Sequence, residues 1–238
     1  MKRIFLSLLF AAGFSGILFA QKTINDVNAE KRNVGSFHGV EVATGIKLVL
    51  TQGNAEEVAV SASTTEYRDN IVTKVENGVL KIHYNYELKI NRNKEKKELK
   101  AYVSYKNLDF LEANTGAEVE IEGILKSPSL KMKANTGGVI NGDINITELD
   151  VNQHTGSVIT ISGKADKLEV EGGTGSMFRG TDLKTSDCNA TASTGAGIYI
   201  TVQKELNVKA NTGGYIKYKG DAGIREIKTN TGGSVSKI

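Results

Sequence analysis

The chain has 238 residues, with 30 basic and 27 acidic side chains, no Trp, one Pro and 26 Gly. That is room for one or two domains. The near-even charge gives no electrostatic reason for a polyanionic partner such as a nucleic acid, and the single cysteine, Cys188, excludes an intramolecular disulfide. Val, Ile and Thr fall in short alternating stretches rather than in amphipathic runs, which predicts an all-β protein rich in tight turns.

Lys2 and Arg3 precede an apolar run over residues 4–20, and Gln21 opens a polar segment. This pattern predicts a secretory signal peptide over residues 1–20. The cut is placed after Ala20, within a few residues, because Leu18 fits the small-residue rule poorly. No Cys comes directly after the apolar run, which argues against a lipid anchor. The expected location is the periplasm or the cell surface. Removing Lys2 and Arg3 leaves 28 basic against 27 acidic residues, and no other stretch is long enough to span a bilayer. Residues 21–32 read as a polar, mobile leader.

Residues 33–106 form an N-terminal β region. Val40 and Val42, then Ile46, Leu48 and Leu50, alternate on either side of Thr44-Gly45, as in a degenerate coil. Val58, Val60 and Ala62 make another strand. Asn77-Gly78 is a hairpin turn signal before a strand over residues 79–84. Residues 91–100 carry five basic and two acidic residues and read as a solvated loop, and residues 101–105 alternate again. The region is expected to add coils, or a short antiparallel sheet, that cap one end of a C-terminal repeat array.

Over residues 107–238 a Thr-Gly pair recurs seven times, at Gly116, Gly137, Gly156, Gly175, Gly195, Gly213 and Gly232, with gaps of 21, 19, 19, 20, 18 and 19. A fixed period near twenty predicts a stacked repeat. Counted from each Gly, position −5 is always apolar (Leu111 through Ile227) and position +3 is always apolar (Val119 through Val235). Position −7 is Leu130, Leu149, Leu168, Cys188 and Leu206 in the middle units, and Asp109 and Arg225 in the outer two. Positions −3 and +1 are mostly small. Period-two alternation on both sides of a corner means strands meeting at a bend. The predicted fold is therefore a single-stranded parallel β-helix, or β-solenoid, of about seven coils of 18–21 residues, with an N-terminal β-rich cap. Coils ~4.8 Å apart make a rod roughly 30 Å tall. The Thr column is expected to line the inside of the corner as a ladder of hydroxyls, and the Asn residues at −2 to bond along the rod.

No catalytic, cofactor or metal site is predicted. Cys188 sits in a Leu column and reads as a small buried hydrophobe. His38, His83 and His154 show no ligand spacing. The Gly172–Gly175 run lacks the Asp of calcium-binding solenoids and the Lys of a phosphate loop. Glu118 and Glu120 alternate with apolar residues and read as a solvated face. What stands out is position +2, which should face outward yet holds Val139, Val158, Met177 and Tyr215. This stripe is a candidate contact with another copy of the chain or with another segment. Tyr199, at +4, and Tyr215 are candidate glycan contacts.

The Phe37-His38-Gly39-Val40-Glu41-Val42 opening, the Gly78-Val79-Leu80-Lys81-Ile82 segment and the serial Leu-x-Val-x-x-x-(Thr/Ser)-Gly units together resemble the auto-transporter adhesin head GIN domain family. The resemblance covers roughly residues 33–236, although this chain has mostly Asn-Thr-Gly where the family often has Gly-Ser-Gly. It implies a β-helical surface or periplasmic domain with no assigned catalytic residues. The expected function is a secreted, non-catalytic scaffold, adhesion or envelope-binding domain that meets a surface glycan or an envelope protein. The alternative is a carbohydrate-binding module or a glycan-processing β-helix enzyme.

Overall fold

The computed structural model describes residues 26–86 and 96–238. The predicted signal peptide, and residues 91–95 of the basic loop, lie outside the described residues. In chain order the elements are β1 (Glu30–Arg32), β2 (Gly39–Val42), β3 (Lys47–Gln52), β4 (Glu57–Ser61), α1 (Thr65–Asp69), β5 (Ile71–Glu76), β6 (Val79–Tyr84), β7 (Lys100–Tyr105) and β8 (Phe110–Ala113). Next come β9 (Glu118–Ala134), β10 (Val139–Gln153), β11 (Val158–Gly172), β12 (Met177–Ala192), β13 (Gly197–Ala210), β14 (Tyr215–Lys219), β15 (Gly223–Thr229) and β16 (Ser234–Lys237).

The predicted β-solenoid is present. Strands β9 to β13 pair in parallel, each with the next, and equivalent columns lie in register: Leu149 beside Leu168, Cys188 beside Leu206, Ile140 beside Ile159. Along β10 the buried residues are Ile140, then Ile144 and Ile146, then Leu149, Val151 and Gln153. The alternation breaks twice within the strand and once at the Thr-Gly corner, so each coil has three sides. Inward columns stack on themselves and form one continuous core from Phe37 to Tyr218. Cys188 is buried in it, and burial holds its thiol well above the usual range, so it stays protonated.

The corner differs from the expectation. Both Thr and Gly have positive φ, for example 47° at Thr136 and 72° at Gly137, and the N–H of Gly138 bonds back to the carbonyl of Asn135 at 2.9 Å. Two successive left-handed residues closed by a bond of this kind make a type I′ turn. Such a turn points the Thr side chains outward: Thr115, Thr136, Thr155, Thr174, Thr194, Thr212 and Thr231 are all exposed, not lining the inside. The ladder here is main-chain, with each corner Gly N–H donating to the next coil's Thr carbonyl, as Gly137 does to Thr155 at 3.0 Å. In the −2 column, Asn230 donates to Asn211 at 3.0 Å.

A second correction concerns the last coil, where Ile224 rather than Arg225 takes the −7 position. Leu206 pairs with Ile224 and Asn207 with Glu226, so Arg225 is the extra residue of a β-bulge. The bulge turns the charged side chain outward, where it pairs with Glu205 at 2.5 Å, and restores an apolar residue to the column.

The N-terminal region supplies both coils and a cap. Thr44-Gly45 is an eighth corner with the same backbone (φ 59° and 72°), and β2 and β3 lie in register on β8 and β9. A further coil made of β6 and β7 stacks on the other side of β2 and β3, although it comes after them in sequence. β4 and β5 then run antiparallel against β7 and β6, and β1, formed by residues of the polar leader, runs antiparallel to β4. Asp26 fastens this leader. Its carboxylate accepts from Ser61 at 3.0 Å and from the Tyr102 hydroxyl at 2.9 Å. Burial acts to raise the Asp26 pKa, but the hydrogen bonds from Tyr102, Ser61 and the Asn28 N–H together hold it below the usual carboxylate value. α1 has no counterpart among the elements expected from sequence. It begins at Thr64, whose hydroxyl accepts from the Tyr67 N–H at 3.2 Å as an N-cap.

Among the described residues, the other end of the rod has no such cover. Every residue from Gly223 to Gly232 is exposed, and the inward-facing Ile224 and Ile227 are 51% and 43% accessible.

Candidate functional site

The +2 and +4 columns lie side by side on one outer face of the rod. The parallel register places Val139, Val158, Met177, Gly197 and Tyr215 on successive rungs of one column. Asn141, Thr160, Arg179, Tyr199 and Lys217 occupy the rungs of the other. Val139, Val158, Met177 and Tyr215 are half-buried. The stripe is thus continuous from Val139 to Met177 and is interrupted at Gly197.

That interruption organises the far end. Tyr215 lies back across Gly197, where a Cβ would come within 2.5 Å of its ring and hydroxyl. The Tyr215 hydroxyl reaches the Met177 sulfur, two coils away, at 3.8 Å. Only a residue without a side chain leaves room for the ring there. Tyr199 meets Tyr215 edge to face, with centroids 6.0 Å apart and planes at 88°, the arrangement that aromatic quadrupoles favour. The Lys217 ammonium sits 5.5 Å from the Tyr199 centroid. Burial raises the Tyr215 pKa, as does its hydrogen bond with Tyr199, while Arg179 opposes the shift.

Both tyrosines named from sequence therefore fall in one cluster with Met177, flanked by the exposed Arg179 and by Lys217. Val139 and Val158 extend it as an apolar strip. Sequence reading missed Gly197, whose signal was its place as the one Gly in an otherwise side-chain-bearing stretch of the +2 column. It also missed a second aromatic group at the cap. There Lys97 lies 4.5 Å from the centroids of Tyr84 and Tyr86 and 5.8 Å from that of Tyr67.

The remaining candidates are structural. The His154 ring covers Gly173 on the next coil, and Glu118 pairs with Lys47 at 3.1 Å. A groove of about 520 Å³ on another face is lined by Glu148, Asp150, Glu169, Asp187 and Glu205. Three of these carboxylates are tied to cations: Glu148 to Lys167, Asp150 to Lys131 and Glu205 to Arg225. Among the described residues, no three His, Cys, Asp or Glu side chains gather as a metal site would require. No helix among them is long and apolar enough to cross a membrane.

Solved structures share this architecture. A "putative adhesin" from Bacteroides fragilis is 16% identical, with a TM-score of 0.75 over 88% of this chain and 96% of its own. A "putative adhesin" from Parabacteroides distasonis is 16% identical, with a TM-score of 0.67 over 88% and 96%. A "putative lipid binding protein" from Parabacteroides distasonis is 19% identical, with a TM-score of 0.60 over 90% and 98%. At these identities the likeness is one of fold. No curated protein matches the chain. The family model described as "Putative auto-transporter adhesin, head GIN domain" matches residues 36–222, a span that leaves out β1 and the last coil, and the chain belongs to that family.

Proposed function

We propose that this protein is an exported, non-catalytic adhesin-like domain, and that the face carrying Met177, Tyr199 and Tyr215 is where it binds a surface glycan or an envelope partner. The observation that carries the reading is the outward aromatic cluster, held by Gly197 on rungs of a rigid parallel sheet. Family membership supports an adhesive role, and the predicted signal over residues 1–20 supports export to the periplasm or the cell surface. Rigid aromatic side chains with polar neighbours provide contact area at little cost in conformational entropy.

A glycan array probed with the full chain and with Tyr199→Ala tests the contact face. Binding that Tyr199→Ala abolishes supports it, and binding that the variant leaves intact removes it. Release of shortened products from a bound glycan would favour the glycan-processing alternative. Cell fractionation tests export, and a purely cytosolic chain would overturn it.

A second reading is self-association through Val139, Val158 and Met177. It is favoured by three consecutive half-buried apolar rungs on an outer face. Val158→Lys with Met177→Lys should then lower the mass seen in sedimentation, and an unchanged mass would discard it.

A further inference from the structure

We infer that the glycan taken by the Tyr199 face is anionic, with Arg179 and Lys217 gripping acidic groups on either side of the Tyr199 ring. The inference rests on the proposed glycan role of this face and specifies its ligand. Arg179, Tyr199 and Lys217 are consecutive rungs of the +4 column. Neighbouring strands are ~4.8 Å apart, so the backbone positions of Arg179 and Lys217 lie roughly 10 Å apart along the rod, one on either side of Tyr199. Arg179 is exposed, and Lys217 places its ammonium 5.5 Å from the Tyr199 centroid. A sugar stacked on that ring would lie within reach of both charges.

The surrounding charge agrees. From Met177 onward the +2 column holds Met177, Gly197, Tyr215 and Ser234, and from Arg179 onward the +4 column holds Arg179, Tyr199, Lys217 and Ser236. Neither run contains a carboxylate, and the exposed Lys219 comes next on β14. The acids of these columns, Glu118 and Glu120, stand on the first repeat, where Lys47 engages Glu118. Two cations that pair with no carboxylate among the described residues, set beside an aromatic platform, are complementary to a carboxylated or sulfated sugar and give a neutral one no such advantage. The guanidinium supplies a planar fork for a carboxylate and the ammonium a point charge.

The test is calorimetric titration of the full chain with polygalacturonate and with dextran of matched length, at low and at high salt. The expected result is binding of polygalacturonate in preference to dextran, weakened by salt. R179Q and K217Q should each cost about tenfold in affinity, the loss of one charge-assisted contact. Both side chains project outward, so circular dichroism should show both variants folded. Equal binding of dextran, or full affinity in R179Q and K217Q, would overturn the anionic ligand while leaving the glycan role in place. Failure of both polymers to bind would overturn the glycan role itself.

Discussion

Gln153 pairs with Gly172 across the ladder between the third and fourth repeats, and together they interrupt a column otherwise made of Ala113, Ala134, Ala192, Ala210 and Thr229. The Gln153 side chain is 0% exposed, and neither its amide oxygen nor its nitrogen has a hydrogen-bond partner among the described residues. The Ser157 hydroxyl in the same coil is also buried and has no partner among the described residues, whereas Ser176 one coil on donates to the Gln153 carbonyl at 3.2 Å.

An unpaired buried amide costs about 1–3 kcal/mol. Gln153→Met keeps the length of the side chain and removes both polar atoms, so it should stabilise by about 1–2 kcal/mol. For a chain of this size each kcal/mol raises the melting temperature by about 2–4 °C. A drop in melting temperature would mean that an ordered water completes the Gln153–Ser157 site.

The corners provide a contrast between two kinds of backbone constraint. Thr155 has φ 52°, where a β-branched residue is disfavoured and Asn is tolerated. Thr155→Asn should therefore raise stability, by about 0.5–1 kcal/mol. Gly163 is a different case. Its φ is 100°, and a Cβ there would lie 2.2 Å from the Ile144 carbonyl oxygen, which belongs to the ladder and cannot move aside. Gly163→Ala should cost about 3 kcal/mol or more, combining strain with a backbone clash. Thermal melts of the two variants should move in opposite directions.

His38 and Asp109 are bonded at 2.6 Å between equivalent positions of adjacent coils. That hydrogen bond, with a smaller contribution from the charge of Asp109, raises the His38 pKa above its ordinary value of 6.5. The protonated form is thus favoured by folding. The contribution to stability is full below about pH 6.5 and is lost as pH rises through the raised folded value. Both side chains are more than half exposed, so solvent screening keeps the effect small. An NMR titration of the His38 ring should give a midpoint above 6.5, and Asp109→Asn should bring it back toward that ordinary value.

The open end of the rod predicts a gradient of mutational cost along one column. Val208 is 1% exposed and pairs with Ile227, which is 43% exposed on the last coil. Lys at Val208 buries an unpaired charge and should cost more than about 3 kcal/mol, whereas Ile227→Lys should cost less than about 1 kcal/mol. Ile227→Lys should also reduce aggregation, because it places a charge on an uncovered edge strand. Denaturant titration with light scattering reads both effects. Equal costs at the two sites would mean that the last coil is covered in solution.

The sequence alone determined the coil. Side-chain alternation is a local property of extended backbone, so the columns at −5 and +3 could be assigned to the core from spacing, and Ile140, Val151 and Val170 are all buried there. For the same reason the Tyr199 and Tyr215 face was legible as an outward surface. The structure alone decided what depends on pairing between distant segments. Coil order at the N-terminus is one case: β6 and β7 stack beyond β2 and β3 although they come later in the chain. Which side of a type I′ turn its Thr faces is another, and so is the bulge that puts Ile224 where spacing had put Arg225. The Tyr215 contact with Met177 belongs with these. It depends on Gly197 lying between them on the intervening coil, a neighbour brought there by stacking rather than by adjacency in the chain.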